Sequence, residues 1–320
     1  MKKALVTGAA GFIASHLCDR LVEEGYQVTG VDNLSTGRKE FLNKITGHPH
    51  FKLVERDITD ANALKDLMDA DTERVFHLAA NADVRFGLNH PRRDLEQNLI
   101  ATWNVVEAMR EKGVKRIAFS STGSVYGEAP QIPTPENGPF PIQTSLYGAA
   151  KAGAEGFLSA YAEGYGMKVH IFRFVSILGE RYTHGHVFDF IKKLKDDPTK
   201  LNILGDGKQK KSYLYVGDCI NAIIKAVNYE TPRPVEVYNL GTDEYTTVDT
   251  SVATISEMLK VRPEKIYSGG ERGWIGDNPF IFLDCTKIKN TGWRAEKTIK
   301  EGVQLTVQYL TENPWVFDRA

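Results

Sequence analysis

The sequence has few cysteines and no long apolar run. Its three cysteines, Cys18, Cys219 and Cys285, are far apart, and none belongs to a CxxC pair. Their number and spacing argue against a disulfide framework and a zinc knuckle, so we expect no metal site. The apolar run at the N-terminus stops at Gly8, which predicts neither a signal peptide nor a membrane span. We therefore expect a protein of the reducing cytoplasm.

The chain also lacks an excess of charge of either sign. Lys and Arg total 40 and Asp and Glu total 41, which gives a formal net charge of -1. No overall basic field favours binding to nucleic acid. The hydrophobic fraction of 42% is ordinary for a globular protein, and 320 residues fit one large domain or two lobes that share a core.

The first half contains a regular alternation of short apolar runs and longer helical patterns. The runs lie at residues 4–7, 28–32, 51–54, 75–78 and 117–120, and a sixth follows at 169–174. Such alternation predicts an α/β fold with a parallel sheet covered by helices on both faces. We assign this doubly wound sheet to residues 1–175.

After residue 175 the rhythm breaks, because glycines and prolines separate shorter elements. We interpret residues 176–211 and 242–320 as a smaller α/β lobe. The segment at about 212–241 is expected to return to the sheet, through the apolar run at 237–241.

A glycine-rich turn follows the first predicted strand in VTGAAGFIAS. Gly8 permits a tight turn, Gly11 lets the backbone approach a pyrophosphate, and the small Ala14 allows close packing of helix on strand. The helix that begins near Phe12 and Ile13 offers free N–H groups to phosphates. This spacing is weak evidence alone and is typical of a dinucleotide site only in this strand–helix context.

A carboxylate ends the second predicted strand. Asp32, followed by Asn33, is placed to accept hydrogen bonds from an adenosine ribose and to repel a 2′-phosphate. The alternative is a plain turn residue. Asp32 favours NAD over NADP, although Arg38 lies close enough in sequence to reach a phosphate.

The stretch YGAAK places Tyr147 and Lys151 one helical turn apart. A free tyrosine has a pKa near ~10 and is a poor base at neutral pH. A neighbouring lysine and a positively charged nicotinamide ring would both favour the phenolate. The pair is therefore interpretable as a base and its helper only beside a dinucleotide.

The motifs together resemble the extended short-chain dehydrogenase/reductase family. They are TGAAGFIASHL, Asp32, Asp57 in ERDITD, HLAA at 77–80, Asn98, FSSTGSVYG at 119–127 and YGAAK, in that order. GDGKQKKSYLYVGD at 205–218 and GERGWIGDNP at 270–279 are similar to its nucleotide-sugar enzymes. The resemblance covers nearly the whole chain. It implies a Rossmann fold, bound NAD and a nucleoside-diphosphate-sugar substrate.

The resemblance also implies roles for single residues. Thr122 matches the hydroxyl residue that bonds the reacting sugar oxygen, Tyr147 the base, and Lys151 the residue that orients the nicotinamide ribose and lowers the tyrosine pKa. Asp57 and Ile58 would flank adenine. The remaining positions of the cofactor site are Leu78, Ala79, Ala80 and Asn98, together with Gly8, Gly11, Phe12, Ile13, Asp32 and Asn33.

Four reactions share this scaffold: 4-epimerisation, 4,6-dehydration, decarboxylation and keto-sugar reduction. The family's dehydratases carry an Asp-Glu pair after the catalytic threonine, and its decarboxylases usually keep the glutamate. Gly123 and Ser124 occupy those positions here. We therefore predict a 4-epimerase, with the other three reactions as alternatives. A non-catalytic dinucleotide sensor is the alternative of a different class, disfavoured because Thr122, Tyr147 and Lys151 are all kept.

The substrate lobe departs from the family pattern. Ser176 replaces an asparagine and Lys211 an arginine, so bidentate contact with a diphosphate is lost at the second position. Arg272 remains a diphosphate candidate. His184 and His186 are spaced like a metal pair but lack a matching cluster. The sugar and the nucleotide therefore stay open.

The family also implies a homodimer, paired through helices near residues 99–110 and 149–165. Their apolar stripes are compatible with a four-helix contact. Light scattering at micromolar concentration would separate this arrangement from a monomer.

Overall fold

The computed structural model describes residues 1–84, 86–138, 142–270 and 280–318. Thirteen strands lie in these ranges: β1 (Lys3–Thr7), β2 (Gln27–Asp32), β3 (Phe51–Glu55), β4 (Thr72–His77), β5 (Arg116–Thr122), β6 (Lys168–Phe174), β7 (Ser176–Leu178), β8 (Lys200–Ile203), β9 (Lys210–Lys211), β10 (Tyr213–Tyr215), β11 (Val235–Leu240), β12 (Thr246–Thr247) and β13 (Glu264–Tyr267).

Ten α-helices connect and cover these strands: α1 (Phe12–Glu23), α2 (Phe86–Asn89), α3 (Pro91–Asp94), α4 (Ala101–Lys112), α5 (Leu146–Tyr165), α6 (His186–Asp196), α7 (Val216–Asn228), α8 (Val248–Leu259), α9 (Thr286–Lys289) and α10 (Ile299–Glu312). A π-helical turn at Leu95–Ile100 precedes α4, and short 3-10 helices lie at Lys39–Leu42, Gly123–Tyr126 and Pro314–Phe317.

Seven strands form one parallel sheet in the order β11-β6-β5-β4-β1-β2-β3. All six strands expected in the first half are present, and β11 pairs with β6 at the edge of the sheet. The chain runs outwards in opposite directions from β1 and β4, so the crevice between their carboxyl ends is the topological switch point where open α/β sheets bind ligands.

Alternating side chains of the sheet supply two apolar cores, one on each face. In β1, for example, Val6 belongs to the core that includes α1 and α7, whereas Leu5 belongs to the core that includes α4 and α5. Because parallel strands are buried on both faces, they are almost continuously apolar. The predicted doubly wound sheet of Rossmann type is confirmed.

The smaller elements after β6 form three two-stranded pairs: β7 with β10, β8 with β13, and β9 with β12. Helices α6, α8 and α10 pack around them. That residues 1–175 bind the cofactor and the later lobe binds the substrate stays a prediction. In the part of the chain that the structure describes, no helix combines the length and apolarity needed to cross a bilayer.

Candidate active site

The glycine loop lies at the switch point between β1 and β4. Gly8 has a φ of +71°, and its backbone N–H donates to the Val31 carbonyl at 2.8 Å. A Cβ at this position would lie 2.8 Å from the backbone of Ala79, which follows β4. Glycine is therefore required twice, for the left-handed turn and for the close approach of two backbones.

The loop leads directly into α1, and its N-cap is Gly11, which is in extended conformation and has no side chain to cap the helix. The first N–H groups of α1 are therefore available to an anion. The Phe12 side chain is buried and packs edge-on against Tyr182 at 5.5 Å, so it faces the core. Ile13 is partly exposed beside it.

Asp32 is fixed by two backbone N–H groups. Ala10 donates to its Oδ2 at 2.9 Å and Leu34 to its Oδ1 at 2.7 Å. Burial raises the pKa of this carboxyl, and the two hydrogen bonds oppose that shift. Arg38 donates through its guanidinium to the Asp318 carbonyl at 2.9 Å, so in this structure it binds the C-terminal segment.

The other predicted adenosine residues lie beside this aspartate, at the ends of β2 and β3. Asn33 donates to Asp57 at 2.9 Å, and the Asp57 carboxylate also accepts bonds from the backbone and side chain of Thr59. The buried Asn104 donates to the Ile58 and Thr59 carbonyls, each at 2.9 Å. The loop after β3 is thereby held against α4.

A buried polar chain supports the loop formed by Leu78, Ala79 and Ala80 after β4. The Thr7 hydroxyl accepts a bond from the Ala79 N–H at 3.3 Å and lies 2.7 Å from Nδ1 of His77. His77 is fully buried, which lowers its pKa to about 3, and Thr102 lies 2.9 Å from its Nε2. The imidazole therefore stays neutral near pH 7 and connects the Thr7 hydroxyl to the Thr102 hydroxyl.

The predicted cofactor residue Asn98 lies behind the same loop. Its side-chain oxygen accepts from the Asn81 N–H at 2.9 Å, and its amide donates to the Asn81 carbonyl at 3.2 Å and to Asp94 at 3.1 Å. The side chain is completely buried. Its geometry is that of a residue that holds the loop in place through the backbone of Asn81.

The structure brings Thr122 and Tyr147 together at the carboxyl end of β5. Ser145 caps α5 by accepting from the Gly148 N–H at 3.0 Å, which places Tyr147 in the first helical turn. The side chains of Tyr147 and Thr122 are close enough for an interaction that lowers the tyrosine pKa, and the Thr122 hydroxyl donates to Oγ of Ser124 at 3.2 Å. A Cβ on Gly148 would lie 3.0 Å from the Ser124 carbonyl, so glycine allows the helix to begin this close to β5.

The surrounding protein shifts the pKa values of Tyr147 and Lys151 in directions opposite to those that their predicted roles require. Burial raises the pKa of Tyr147 to about 12, although the interaction with Thr122 opposes this. The expected lowering of the tyrosine pKa is therefore not supplied by the protein alone. Burial also lowers the pKa of Lys151 to about 7, and the carboxylate of Glu155 opposes this.

Lys151 is 1% exposed, and its Nζ donates to the Ser120 carbonyl at 2.8 Å. The same nitrogen lies 4.6 Å from the centre of the Phe119 ring. Strand β5 therefore holds both the ammonium of Lys151 and the hydroxyl of Thr122, within two residues of each other.

The predicted substrate residues are less closely grouped. Ser176 is exposed on β7, and Lys211 is partly buried on β9. His186 packs on Tyr213 at 4.7 Å, and burial followed by the charge of Lys211 lowers its pKa to about 3. His184 stacks on Tyr182 at 6.2 Å. Arg272 lies outside the described residues, among which no group of three metal-ligating side chains occurs.

Sequence reasoning missed a buried polar network behind the reacting residues. Glu155 accepts hydrogen bonds from Ser121 and from the guanidinium of Arg173, which in turn donates to Tyr126 at 2.7 Å. Tyr126 donates to Asn239 at 2.8 Å. The four-residue spacing between Lys151 and Glu155 on a predicted helix was the one available signal.

Taken together, the loop at the switch point fits a dinucleotide. Gly8 leaves a cradle that a side chain would fill, α1 presents its N-terminus, and Asp32 stands at the end of β2. These are the features that hold the pyrophosphate and the ribose in such sites.

Comparison with known proteins agrees with this geometry. The chain is 32% identical to the UDP-glucose 4-epimerase of Mycolicibacterium smegmatis over 96% of its own length and 98% of the relative's. A solved UDP-galactose 4-epimerase superimposes with a TM-score of 0.89 at 38% identity, covering 98% of this chain and all of that one. The UDP-glucose 4-epimerase of Thermotoga maritima, solved with UDP-glucose, gives 0.87 at 35% identity, covering 98% and 99%.

Residues 4–241 match the NAD dependent epimerase/dehydratase family. The match spans the sheet, the glycine loop and the residues around Tyr147. The chain therefore belongs to this family of nucleotide-sugar enzymes, as its motifs predicted, and NAD is its cofactor.

Proposed function

We propose that this protein is a UDP-hexose 4-epimerase that inverts the configuration at C4 of the sugar with Tyr147 as the base. The observation that carries the proposal is the convergence of Thr122, Tyr147 and Lys151 at the carboxyl end of β5, beside the dinucleotide loop. The choice of uridine diphosphate rests on the relatives, whose substrates are UDP-sugars.

NAD, when bound, would supply reversible hydride transfer at C4 of the sugar. The chain's own residues handle the proton. Tyr147 takes the proton of the C4 hydroxyl at its phenolic oxygen, and Thr122 bridges the two oxygens through its hydroxyl. Because the hydride removed from C4 is returned to C4, no net redox change occurs, and NAD is expected to stay bound.

Lys151 supplies the charge that the tyrosine needs. With a pKa of about 12, Tyr147 is protonated at neutral pH unless a positive charge favours the phenolate. The ammonium of Lys151, one turn away on α5, provides such a charge and is held on the Ser120 carbonyl. Its remaining protons would be available to the ribose of NAD, the role that the family resemblance implies.

Packing around Gly123 argues against dehydration. A Cβ at this position would lie 2.6 Å from Cγ2 of Ile281 and 3.3 Å from the Phe174 carbonyl. An aspartate could not be accommodated without moving that backbone or its neighbour. An acid at position 123, where the family's dehydratases carry one, would therefore require Ile281 to move.

We further propose that residues 176–211 and 242–320 bind the nucleotide sugar. Lys211 would meet the diphosphate as a point charge, and Ser176 lies on the exposed side of β7 near the end of β6. Arg272, outside the described residues, is retained as the second diphosphate candidate. The homodimer and the cytoplasmic location also stay predictions.

The direct test is interconversion of UDP-glucose and UDP-galactose by the purified protein, followed by NMR without added NAD. A panel of GDP-, CDP- and dTDP-sugars serves as the comparison. Denaturation should release near-stoichiometric NAD. Release of mainly NADP, or faster turnover of a non-uridine sugar nucleotide, would contradict the assignment.

Tyr147→Phe is expected to lower kcat by about 10²–10⁴-fold, because it removes the ionisable oxygen and nothing else. The fold and the bound NAD should be retained, which circular dichroism and the released NAD would verify. Tyr165→Phe is the control and should keep its activity, since it removes an exposed phenol at the other end of α5. Near-native activity of Tyr147→Phe would exclude this residue as the base.

A further inference from the structure

A buried ion pair lies directly behind the reacting residues. Arg173 on β6 contacts Glu155 on α5 through Nε at 3.1 and 3.3 Å and through Nη2 at 2.6 Å. Their side chains are only 14% and 10% exposed. Removing one partner of a buried pair leaves an uncompensated charge, so this contact constrains the parts it joins.

The pair joins the two elements that carry the reaction. Glu155 lies one helical turn after Lys151 and two turns after Tyr147, so all three share a face of α5. Arg173 is opposite Ser121 in the β5–β6 register, and the Ser121 hydroxyl donates to Glu155. Ser121 itself lies between Ser120, which binds Lys151, and Thr122.

The guanidinium also reaches beyond the helix. Its Nη1 donates to the Tyr126 hydroxyl at 2.7 Å and to the Glu136 carbonyl at 3.0 Å. Tyr126 ends the 3-10 helix that begins after Thr122. The Arg173 guanidinium therefore links α5, through Glu155, to the 3-10 helix at Tyr126 and to the backbone at Glu136.

We propose that Glu155 and Arg173 are positioning residues of the epimerase reaction, and that Glu155 keeps Lys151 charged and seated on the Ser120 carbonyl. The inference rests on the proposed function for the roles of Tyr147 and Lys151. It adds that the charge state of Lys151 is controlled by a carboxylate one turn further along the same face of α5.

The surroundings of the ammonium support this assignment. Among the described residues, the titratable groups that interact with it are Glu155 on its own helix and His77 on β4, and Arg173 on β6 lies behind Glu155. His77 is neutral because burial lowers its pKa to about 3. Glu155 is thus the negative charge that opposes the loss of the Lys151 proton on burial.

The test begins with a measurement that needs no substrate. Protein labelled with ¹³C at lysine Cε is titrated by NMR with NAD bound, and the Lys151 signal is assigned with Lys151→Arg. Glu155→Gln keeps the shape but removes the charge, so the Lys151 midpoint should fall by about one pH unit or more. Glu155→Asp should restore it. An unchanged midpoint in Glu155→Gln overturns the proposal.

Arg173→Gln gives a second, opposite expectation if Glu155→Gln does not fold. With its partner neutral, Glu155 acts more strongly on Lys151, so the midpoint should rise. A fall or no change in this variant contradicts the charge linkage.

The pH dependence of kcat then distinguishes a positioning role of Glu155 from a purely structural one. The ratio of wild-type to Glu155→Gln kcat should increase with pH and level off near about tenfold, since the variant loses the ammonium earlier. A purely structural role would give a ratio independent of pH and would overturn the proposal.

Asp19→Asn is the matched control. It breaks another buried ion pair, Arg181–Asp19, with side chains 14% and 9% exposed, and α1 packs in the opposite core from α5. It should lower the melting temperature without moving the Lys151 midpoint. If wild-type protein turned over no nucleotide sugar, the proposed function would fail, and the NMR titration would still decide the charge linkage.

Discussion

The cofactor side of this molecule, around Gly8 and Asp32, and its proposed sugar side, around Ser176 and Lys211, are built differently. At the cofactor side, backbone groups at the ends of strands of five or six residues make most of the site, as at Gly8 and around Asp32. At the sugar side, the candidate contacts are side chains on strands of two or three residues, Ser176 on β7 and Lys211 on β9. A site formed by backbone groups keeps its ligand preference when surface side chains change, whereas the ligand preference of a site formed by side chains changes when those side chains are substituted.

The largest effect is expected at the cofactor side. Gly8→Ala forces a residue with a Cβ to a φ of +71° and brings that atom to 2.8 Å from the Ala79 backbone. The strain and the overpacking together should cost about 2–5 kcal/mol. We expect the purified variant to lose most of its NAD and to melt earlier, as measured from the released cofactor and by calorimetry.

Gly25→Ala separates the two causes. Gly25 has a φ of +79°, but a Cβ there would have nothing within 4 Å. This variant should show the strain alone, with NAD content unchanged. Equal loss of NAD in both variants would mean that the close approach to Ala79 does not matter.

A smaller effect, confined to substrate affinity, is expected at the sugar side. Lys211→Ala should raise KM for the UDP-sugar by about 10- to 100-fold with little change in kcat, because a charge-assisted contact is worth about 1.5–3 kcal/mol. Lys211→Arg should keep or lower KM, since a guanidinium can bind a diphosphate in bidentate fashion.

Lys210→Ala is the control for this charge. Lys210 precedes Lys211 on β9, so its side chain leaves the opposite face of the strand, where it lies over the Tyr245 ring at 4.9 Å. Its KM should be unchanged. A KM increase of the same size in both variants would show that a diffuse positive field, not a contact, attracts the substrate.

The smallest expected effect is on stability, and it comes from His170, which belongs to neither the cofactor side nor the proposed sugar side. His170 on β6 is completely buried, neither ring nitrogen has a hydrogen-bond partner among the described residues, and burial lowers its pKa to about 3. Below an unfolded pKa of about 6.5 the unfolded chain binds a proton that the folded protein does not, so stability is lost as pH falls from 6.5 towards 3.

His170→Phe removes that loss. It should raise the free energy of unfolding by about 1 kcal/mol at pH 5.5 relative to wild type, beyond any difference at pH 8. Urea unfolding at the two pH values measures it, and kcat/KM should not change. A gain that was the same at both pH values would indicate packing, not titration, as its cause.

The sequence predicted what depends on neighbours along the chain. Strand–helix alternation predicted the sheet, and the spacing of Gly8, Gly11 and Asp32 predicted the dinucleotide loop. It also placed Tyr147 and Lys151 on one helical face. These patterns repeat with local periods, so they can be recognised without the fold.

Contacts between distant segments were not predictable. Arg173 meets Glu155 only because β6 lies beside β5 under α5. The sequence also gave no sign that burial would raise the pKa of Tyr147, since desolvation depends on the groups packed around it. Nor could the apolar wall over Gly123 be inferred, because Ile281 lies 158 residues further along the chain.

That wall has an evolutionary consequence. A single mutation that placed an acid at position 123 would drive a side chain into Ile281, whose Cγ2 lies 2.6 Å from where the new Cβ would be. An acid at position 123 therefore requires Ile281 to move or to be replaced by a smaller residue. Under the proposed epimerase function, a change of reaction at this strand end would involve two positions that are 158 residues apart in the chain.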